Sequence, residues 1–520
     1  MSRTALAWTI AAAILVAIAS PPEIVPMARF LSIVGLAGFA FTLGRWQRSL
    51  SGVLFFAITY GVYAWSLRHV SFLGFVAIVV IAAGYGFVFA KAVIRAATRS
   101  LVLVPPVFAA GWCAIEAIRG HWPGAAYQHG QIAQSFYQMP ALLAAARFVG
   151  EAGCNLLFAM IAGGLAGIAL GARRVSLVLI TSACLVIAVA ALAIRSPQAL
   201  GDPLRVTLVQ TMQPAFRDQP MAERLRDPEG LYAHYRDLAK TVPDCDLAVW
   251  PEGALSGVFL VAGDEEATQV RSLAPLFGGA KALLIGALRT DPDVERLEHT
   301  WPSAYRIAAY FLVREPDKGI VIRGIHEKEY LVPVGETVPF WLAWLKLWMP
   351  WYWRTERGQQ SELPRLDDGR ALGVAICYEN CFGTFFAREA LAGASFFAVP
   401  SFESWYRQGA ELDQMLAMTV LRAIETGRPV VRATSDGISC AVRPNGEVAL
   451  ALPRNEATTA VATIQPRQGT TVALHVAGFV PFFAAAFVIF CLAYPRRQRP
   501  DRANGGPEGP TAPTSAELPG

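Results

Sequence analysis

Charge is what this chain has little of. Charged side chains make up 16% of its 520 residues, too few to coat a single soluble domain of that length, so a wholly soluble protein is excluded. Histidine is scarcer still: the seven present are scattered without ligand spacing, and with no Cys/His zinc pattern neither a metal nor a cofactor is expected. Basic residues form no stripe interleaved with aromatics in the polar part of the chain, which argues against nucleic acid as a partner. There is no internal repeat, and beyond Arg3 the N-terminus has no charged n-region and no small-residue cleavage site, so no cleavable signal peptide is expected. Low complexity is confined to 500–520, rich in Pro, Gly, Thr and Ser and expected to be a disordered tail.

Apolar residues are in excess, at 54% with a mean hydropathy of +0.39, and they gather in runs long enough to sit in lipid. Candidate spans are 6–19, 30–43, 53–67, 72–90, 101–118, 142–170 and 175–194, with a further one at 472–494. The first two are short for a bilayer. Residues 1–200 thus read as a bundle of about seven spans, 204–465 as a polar block, 472–494 as a closing helix and 500–520 as a cytoplasmic tail. Positive residues cluster at Arg45 and Arg48, at Lys91, Arg95 and Arg99, at Arg173 and Arg174, and at Arg496, Arg497 and Arg499. If these loops lie inside, the polar block faces outward, and the pI of about 8.8 reflects membrane anchoring.

Within that block, strand-like runs recur at 206–210, 246–252, 282–288, 371–379, 395–401 and 429–435, a helical pattern covers 409–426, and Pro444-Asn445-Gly446 marks a hairpin turn. Three runs place a reactive group at or beside a tip. ALGVAICYE (371–379) lifts Cys377 to the end of a buried strand, where backbone N–H groups of the next turn can lower its pKa and hold an oxyanion. DLAVWPE (246–252) delivers Glu252 behind a proline, and in HEKEYLVPVGETVP (326–339) Lys328 precedes an apolar strand that the Gly335-Glu336 turn ends. A lone cysteine at a strand tip is most often a small buried hydrophobe. A thiol, a carboxylate and an ammonium together are the parts of acyl transfer: Glu252 takes the thiol proton, Cys377 attacks, Lys328 steadies the oxyanion.

Of the eight cysteines, Cys113, Cys154, Cys184 and Cys491 fall in apolar runs, leaving Cys245, Cys377, Cys381 and Cys440. A Cys377–Cys381 disulfide would silence the nucleophile, so Cys381 is expected to be a packed residue.

The order Glu in WPE, Lys before LVPVGE and Cys in CYE resembles the nitrilase superfamily, and specifically its membrane-bound branch, the apolipoprotein N-acyltransferase family. The resemblance extends to Glu116 and Arg119, the 120–122 loop, GRPVVRAT at 427–434 and the flanking spans. It implies an α-helical transmembrane bundle carrying an α/β nitrilase-like αββα sandwich, a Glu252-Lys328-Cys377 triad, a phospholipid acyl donor and a lipoprotein acceptor, in a bacterial inner membrane with the catalytic block on the periplasmic side. It also assigns supporting roles to Glu336 and Glu379, as carboxylates that orient Lys328 and tune the thiol, and to Tyr378, whose backbone N–H would serve the oxyanion. Spacing alone leaves Glu336 and Glu379 equally readable as solvated turn residues. Glu116, three residues before Arg119, reads either as half of a helix-end ion pair or as a functional intramembrane carboxylate.

Residues 340–353 hold five tryptophans, among them Trp344 and Trp348. A core segment is the plain reading; beside Lys346 and Arg354 the indoles fit a loop dipping into the headgroup layer. The 120–138 stretch, with Trp122, Tyr127 and Gln128, reads as a second such loop. Departures from the family pattern fall around the pocket: Val399, Pro400, Ser401, Phe402 and Glu403 stand where an Asn-rich turn is typical, Gln414-Met415 replaces Gln-His, and His326 replaces a tyrosine. A divergent relative, such as the homologues encoded with conjugative plasmid transfer systems, would look like this. A membrane-tethered amidase, an acyltransferase with another acceptor and a non-catalytic scaffold stay open as alternatives.

Overall fold

The computed structural model describes residues 1–19, 26–69, 71–121, 126–212, 228–255, 259–294, 296–297, 301–347, 354–406 and 409–493. A helix forms at each of the eight apolar stretches. Six are long and apolar enough to cross a membrane: Met27–Trp46, Phe72–Arg99, Leu101–His121, Ala146–Ala169, Arg173–Ala193 and Ala473–Ala493. The other two, Arg3–Ile18 and Ser49–Tyr63, are shorter. The expected shortness therefore falls on the first and third stretches, not on the first and second. Small residues let these helices cross closely: a Cβ on Gly52 would lie 2.0 Å from the Gly86 carbonyl oxygen, a packing available only without a side chain. The Ala146–Ala169 helix breaks at Gly150, where φ is +68°. The expected tail at 500–520 lies outside the described residues, as do Trp122 and Trp348.

The polar block is built on two sheets. One runs Thr458–Ile464, Leu204–Gln210, Cys245–Val249, Ala280–Thr290, Arg306–Glu315, Gly319–Glu327, with Phe259–Val261 beside Ala280–Thr290. The other runs Ala371–Val374, Ala394–Ser401, Val430–Thr434, Cys440–Val442, Val448–Ala451. Period-two alternation decides which side chains meet. Val206, Leu208, Leu247, Val249 and Leu284 of the first sheet pack against Leu372, Val374, Phe396, Ala398 and Val431 of the second. The alternate residues Val209, Ala248, Leu283 and Ile285 turn outward beneath Tyr235, Leu238 and Val270 of two helices, Pro228–Ala239 and Asp264–Arg271. Burial on both faces is why these strands read as continuous apolar runs.

The outer face of the second sheet is covered by Gly383–Leu391 and Glu411–Thr426, completing an αββα sandwich. This last layer is shared with the membrane bundle. Phe397, Val399 and Val430 of the sheet, Phe385, Phe386, Leu416 and Ile424 of the two helices, and Phe39, Phe108, Trp112 and Phe158 of the bundle form one continuous core. The expected helix over 409–426 is Glu411–Thr426, stopped by Gly427 in the left-handed region. The Pro444-Asn445-Gly446 turn does join two antiparallel strands.

Candidate functional site

Strand Cys245–Val249 ends at Trp250, and the chain then turns through Pro251 to Glu252 over Gly286 of the neighbouring strand. That approach requires glycine, since a Cβ there would sit 2.2 Å from the Glu252 carbonyl oxygen. Strand Ala371–Val374 ends three residues before Cys377, which opens a 3-10 turn, Cys377–Cys381. Cys377 has φ +49°, a left-handed conformation costly for a residue with a side chain and typical of functional turns.

Lys328 corrects the sequence reading. It does not precede a strand; it follows Gly319–Glu327, extending it by an N–H bond to the Ile307 carbonyl at 2.8 Å. The apolar residues after it form no ladder, only an isolated bridge between Pro333 and Thr337. Carboxylates take the backbone donors instead: Glu379 Oε1 accepts from Glu329 N at 2.6 Å and Tyr330 N at 3.3 Å, and Glu336 Oε2 from Val332 N at 2.8 Å. Pro333 has no N–H to give.

These turns converge. Lys328 Nζ donates to Glu252 Oε1 at 2.8 Å and to Glu336 Oε1 at 2.6 Å. Glu252 Oε2 accepts the Phe402 N–H at 3.1 Å, and the Cys377 thiol points to the Phe402 carbonyl at 3.8 Å, so one residue touches both the thiol and the carboxylate. Burial, reinforced by Glu252, pushes the Cys377 thiol up to about 12, against the pull of Lys328. Burial also raises the Glu252 carboxyl, with Lys328 working the other way. For Lys328 burial opposes the charge, yet Glu252 and Glu336 outweigh it and hold the ammonium well above its ordinary range. Cys377 therefore rests as a thiol and Lys328 as an ammonium, with Glu252 and Glu336 both accepting from that ammonium. A buried thiol beside a carboxylate base, with a fixed cation across from it, can take and release an acyl group.

Glu379 does not touch the thiol. It is wholly buried and accepts from Ile376 N at 2.7 Å and His326 Nε2 at 2.8 Å besides the two backbone donors above. Tyr378 donates its hydroxyl to the Ala126 carbonyl at 2.6 Å, tying the Cys377–Cys381 turn to the chain that leaves the Leu101–His121 span. Cys381 is packed against the Met415 sulfur at 3.9 Å. Tyr127, read as part of a membrane loop, is instead buried among the bundle residues, its hydroxyl 3.4 Å from the Tyr63 carbonyl. Trp344 is 56% exposed on the 3-10 helix Phe340–Leu347, between Phe340 and Leu347 at 70% and 85%. Glu116 and Arg119 pair at 3.7 Å, both buried. Among the described residues no group of three or more His, Cys, Asp or Glu could hold a metal ion.

Sequence reasoning missed the partnership of His326 with Glu379 and the buried pair of Arg432 with Glu403, which braces the loop beside Phe402. Both join segments far apart in the chain, and no local pattern announces them.

Comparison with known proteins agrees with this architecture. The family model for carbon-nitrogen hydrolases matches residues 205–473, and that for the apolipoprotein N-acyltransferase N-terminal domain matches 11–164. Proteins named apolipoprotein N-acyltransferase are similar: that of Ralstonia nicotianae is 29% identical over 76% of this chain and 72% of its own, and that of Shewanella oneidensis is 28% identical over 77% and 74%. A nitrilase-superfamily crystal structure from Saccharomyces cerevisiae aligns at 17% identity with a TM-score of 0.36, covering 56% of this chain and 97% of that one. With a helical membrane bundle joined to a two-sheet hydrolase sandwich, the chain belongs to the carbon-nitrogen hydrolase superfamily, in its membrane-bound apolipoprotein N-acyltransferase branch.

Proposed function

We propose that this protein moves an acyl chain from a phospholipid, through a thioester on Cys377, to the N-terminal amine of a diacylglyceryl-cysteine lipoprotein. The observation that carries the reading is the convergence of Cys377, Glu252 and Lys328 at one buried point, where Lys328 meets Glu252 and Phe402 meets both Glu252 and the thiol. Glu252 accepts the thiol proton as sulfur attacks the phospholipid ester carbonyl, and Lys328 Nζ balances the charge that develops on the oxygen. The C–O bond breaks, the lysophospholipid alcohol leaves with the proton held by Glu252, and the thioester remains. The acceptor amine then attacks the thioester, giving its proton to Glu252. The C–S bond breaks, and the thiolate recovers that proton. Glu336, which also receives Lys328, fixes the ammonium, and the Tyr378 N–H is the second candidate oxyanion donor. In this reading 1–200 and 472–494 hold the enzyme in a bacterial inner membrane, and 204–465 is a periplasmic catalytic domain. Trp344, Trp348 and Trp122 would guide the lipid.

Mass spectrometry of the detergent-solubilised protein after incubation with phospholipid tests the reading. Cys377 should gain one acyl mass, and Cys381→Ala should keep the adduct while Cys377→Ala loses it. Equal labelling of the two variants would place the nucleophile elsewhere. An adduct that water alone discharges, with no transfer to a diacylated lipopeptide, would favour a membrane-tethered amidase.

A further inference from the structure

We infer that His326 is a positioning residue for this reaction: paired with Glu379, it ties the turn that carries Cys377 to the strand end that carries Lys328, and the tie depends on the imidazole's charge. The inference rests on the acyl-transfer reading of the site.

The brace is visible in the hydrogen bonds. Glu379 Oε2 accepts from Ile376, the residue before the nucleophile, and from His326 Nε2, while Oε1 accepts from Glu329 and Tyr330, the residues after Lys328. One carboxylate therefore clamps both reactive segments, and its side-chain partner is His326. Alternation along the strand makes this possible. Glu327 turns to the opposite face, where Arg289 meets it at 2.7 Å, while His326 and Lys328 both turn inward.

The surroundings favour an imidazolium. Facing His326 are Glu379 from the nucleophile's turn, the Phe385 ring and Glu389 from the Gly383–Leu391 helix, and Glu329 on its own segment. Arg388 of that helix engages Glu329 at 2.5 Å and Glu389 at 2.9 Å. Those two carboxylates are thus answered, and Glu379 is left to His326. Burial lowers the imidazole, but Glu379 outweighs it and the net direction is up from the ordinary 6.5. Burial likewise works to raise Glu379, and His326 with the backbone donors brings it below the usual carboxylate range. The sign is then fixed: the charged pair is complete below the ordinary imidazole value of 6.5 and down to the lowered Glu379 value, and its charge is lost as pH rises through the raised His326 value. Beyond that point a buried carboxylate keeps its backbone donors but loses its counter-charge, and the two segments it joins loosen.

The test compares wild type, His326→Gln and His326→Phe between pH 6 and 10, using the full chain in detergent. Two acyl donors are followed: phospholipid, by mass of Cys377, and p-nitrophenyl butyrate, by a p-nitrophenolate burst that Cys377→Ala abolishes. Glutamine is a neutral donor at every pH, and phenylalanine donates nothing. The expected result is an alkaline fall in the wild-type acylation rate that His326→Gln lacks, a glutamine rate about threefold to tenfold lower at pH 7, and a larger loss in His326→Phe. A merely structural histidine would lower the rate without moving the profile. Superimposable profiles for wild type and His326→Gln, or a wild-type rate in His326→Phe, would overturn the inference. The expected profile with p-nitrophenyl butyrate but no phospholipid adduct would uphold it and reject the phospholipid donor. Absence of any Cys377-dependent burst in the wild type would reject both.

Discussion

Lys328 Nζ lies 2.8 Å from Glu252 Oε1 and 2.6 Å from Glu336 Oε1, and the lysine side chain has no solvent exposure. One buried ammonium thus answers two carboxylates. Taking such a cation away leaves charges that water cannot reach, a cost of about 3–5 kcal/mol. Lys328→Met should therefore lower the melting temperature as well as abolish acyl transfer. Adding Glu336→Gln should recover part of the stability and none of the activity, because the oxyanion would still lack its cation. Lys328→Met melting like the wild type would mean that the three groups do not share a site in solution.

Glu252 has a separable signature. Burial and that carboxylate hold the Cys377 thiol near 12, so the resting enzyme carries almost no thiolate and the base must act during attack. Glu252→Gln should slow thioester formation by roughly a hundredfold to ten-thousandfold near pH 7. Its alkylation by iodoacetamide should climb with pH through the alkaline range, as a thiol ionising unaided would. Rapid alkylation already at neutral pH and flat above it would reveal a pre-formed thiolate and remove the need for a base.

The strands of the sandwich were legible because they are short apolar runs buried on both faces and their hairpin turn is local; their assembly into an αββα sandwich was legible only through the family resemblance. The three side chains proposed as reactive could be singled out because each stands in a short motif at or beside a strand end. Lys328 was placed on the wrong side of its strand: the residues after it have strand composition, but Glu379 takes the N–H groups of Glu329 and Tyr330, and Glu336 that of Val332. That capture depends on residue 379, some fifty positions away, and no window along the chain contains it. Tyr127 looked like an interfacial aromatic for the same kind of reason. Its burial is decided by Tyr63 and the bundle around it.

The bundle and the sandwich are joined by charge as well as by apolar packing. Arg422 reaches Glu151 of the Ala146–Ala169 span at 2.6 Å, Glu425 at 3.0 Å and the Cys381 carbonyl at 3.2 Å. Arg422→Met should strand two buried carboxylates and cost about 3–5 kcal/mol. The charge-neutral triple Glu151→Gln, Arg422→Met, Glu425→Gln should recover most of that. Thermal melts in detergent measure both, and a single variant no less stable than the triple would show that the cluster is not holding the layers together.

Orientation is checked by fusion. If the arginine and lysine clusters between the helices mark the inside, a periplasmic reporter joined after Ile194 should be active and the same reporter joined after Arg499 inactive. The reverse pattern would put the catalytic block in the cytoplasm, where the proposed lipoprotein acceptor is not met.

Trp344 tests the proposed lipid route. It stands 56% exposed on a short helix whose neighbours Phe340 and Leu347 are more exposed still, an arrangement that costs little to disturb in the fold and gains most from a headgroup layer. Trp344→Ser should therefore lower the melting temperature only modestly, since more than half of the residue is already exposed. It should slow Cys377 acylation from phospholipid vesicles several-fold and leave the p-nitrophenyl butyrate burst unchanged, because a small soluble ester needs no interfacial docking. Equal slowing with both donors would place the indole in the chemistry or the core, not at the membrane. The acceptor is reached by complementing a strain depleted of its own lipoprotein N-acyltransferase. Wild type should restore triacylated lipoprotein and Trp344→Ser should do so more slowly. If a Cys377 thioester forms and no triacylated product appears, the acceptor is a different amine. In that case Phe402, whose backbone N–H meets Glu252 and whose carbonyl meets the thiol, is the first residue to exchange.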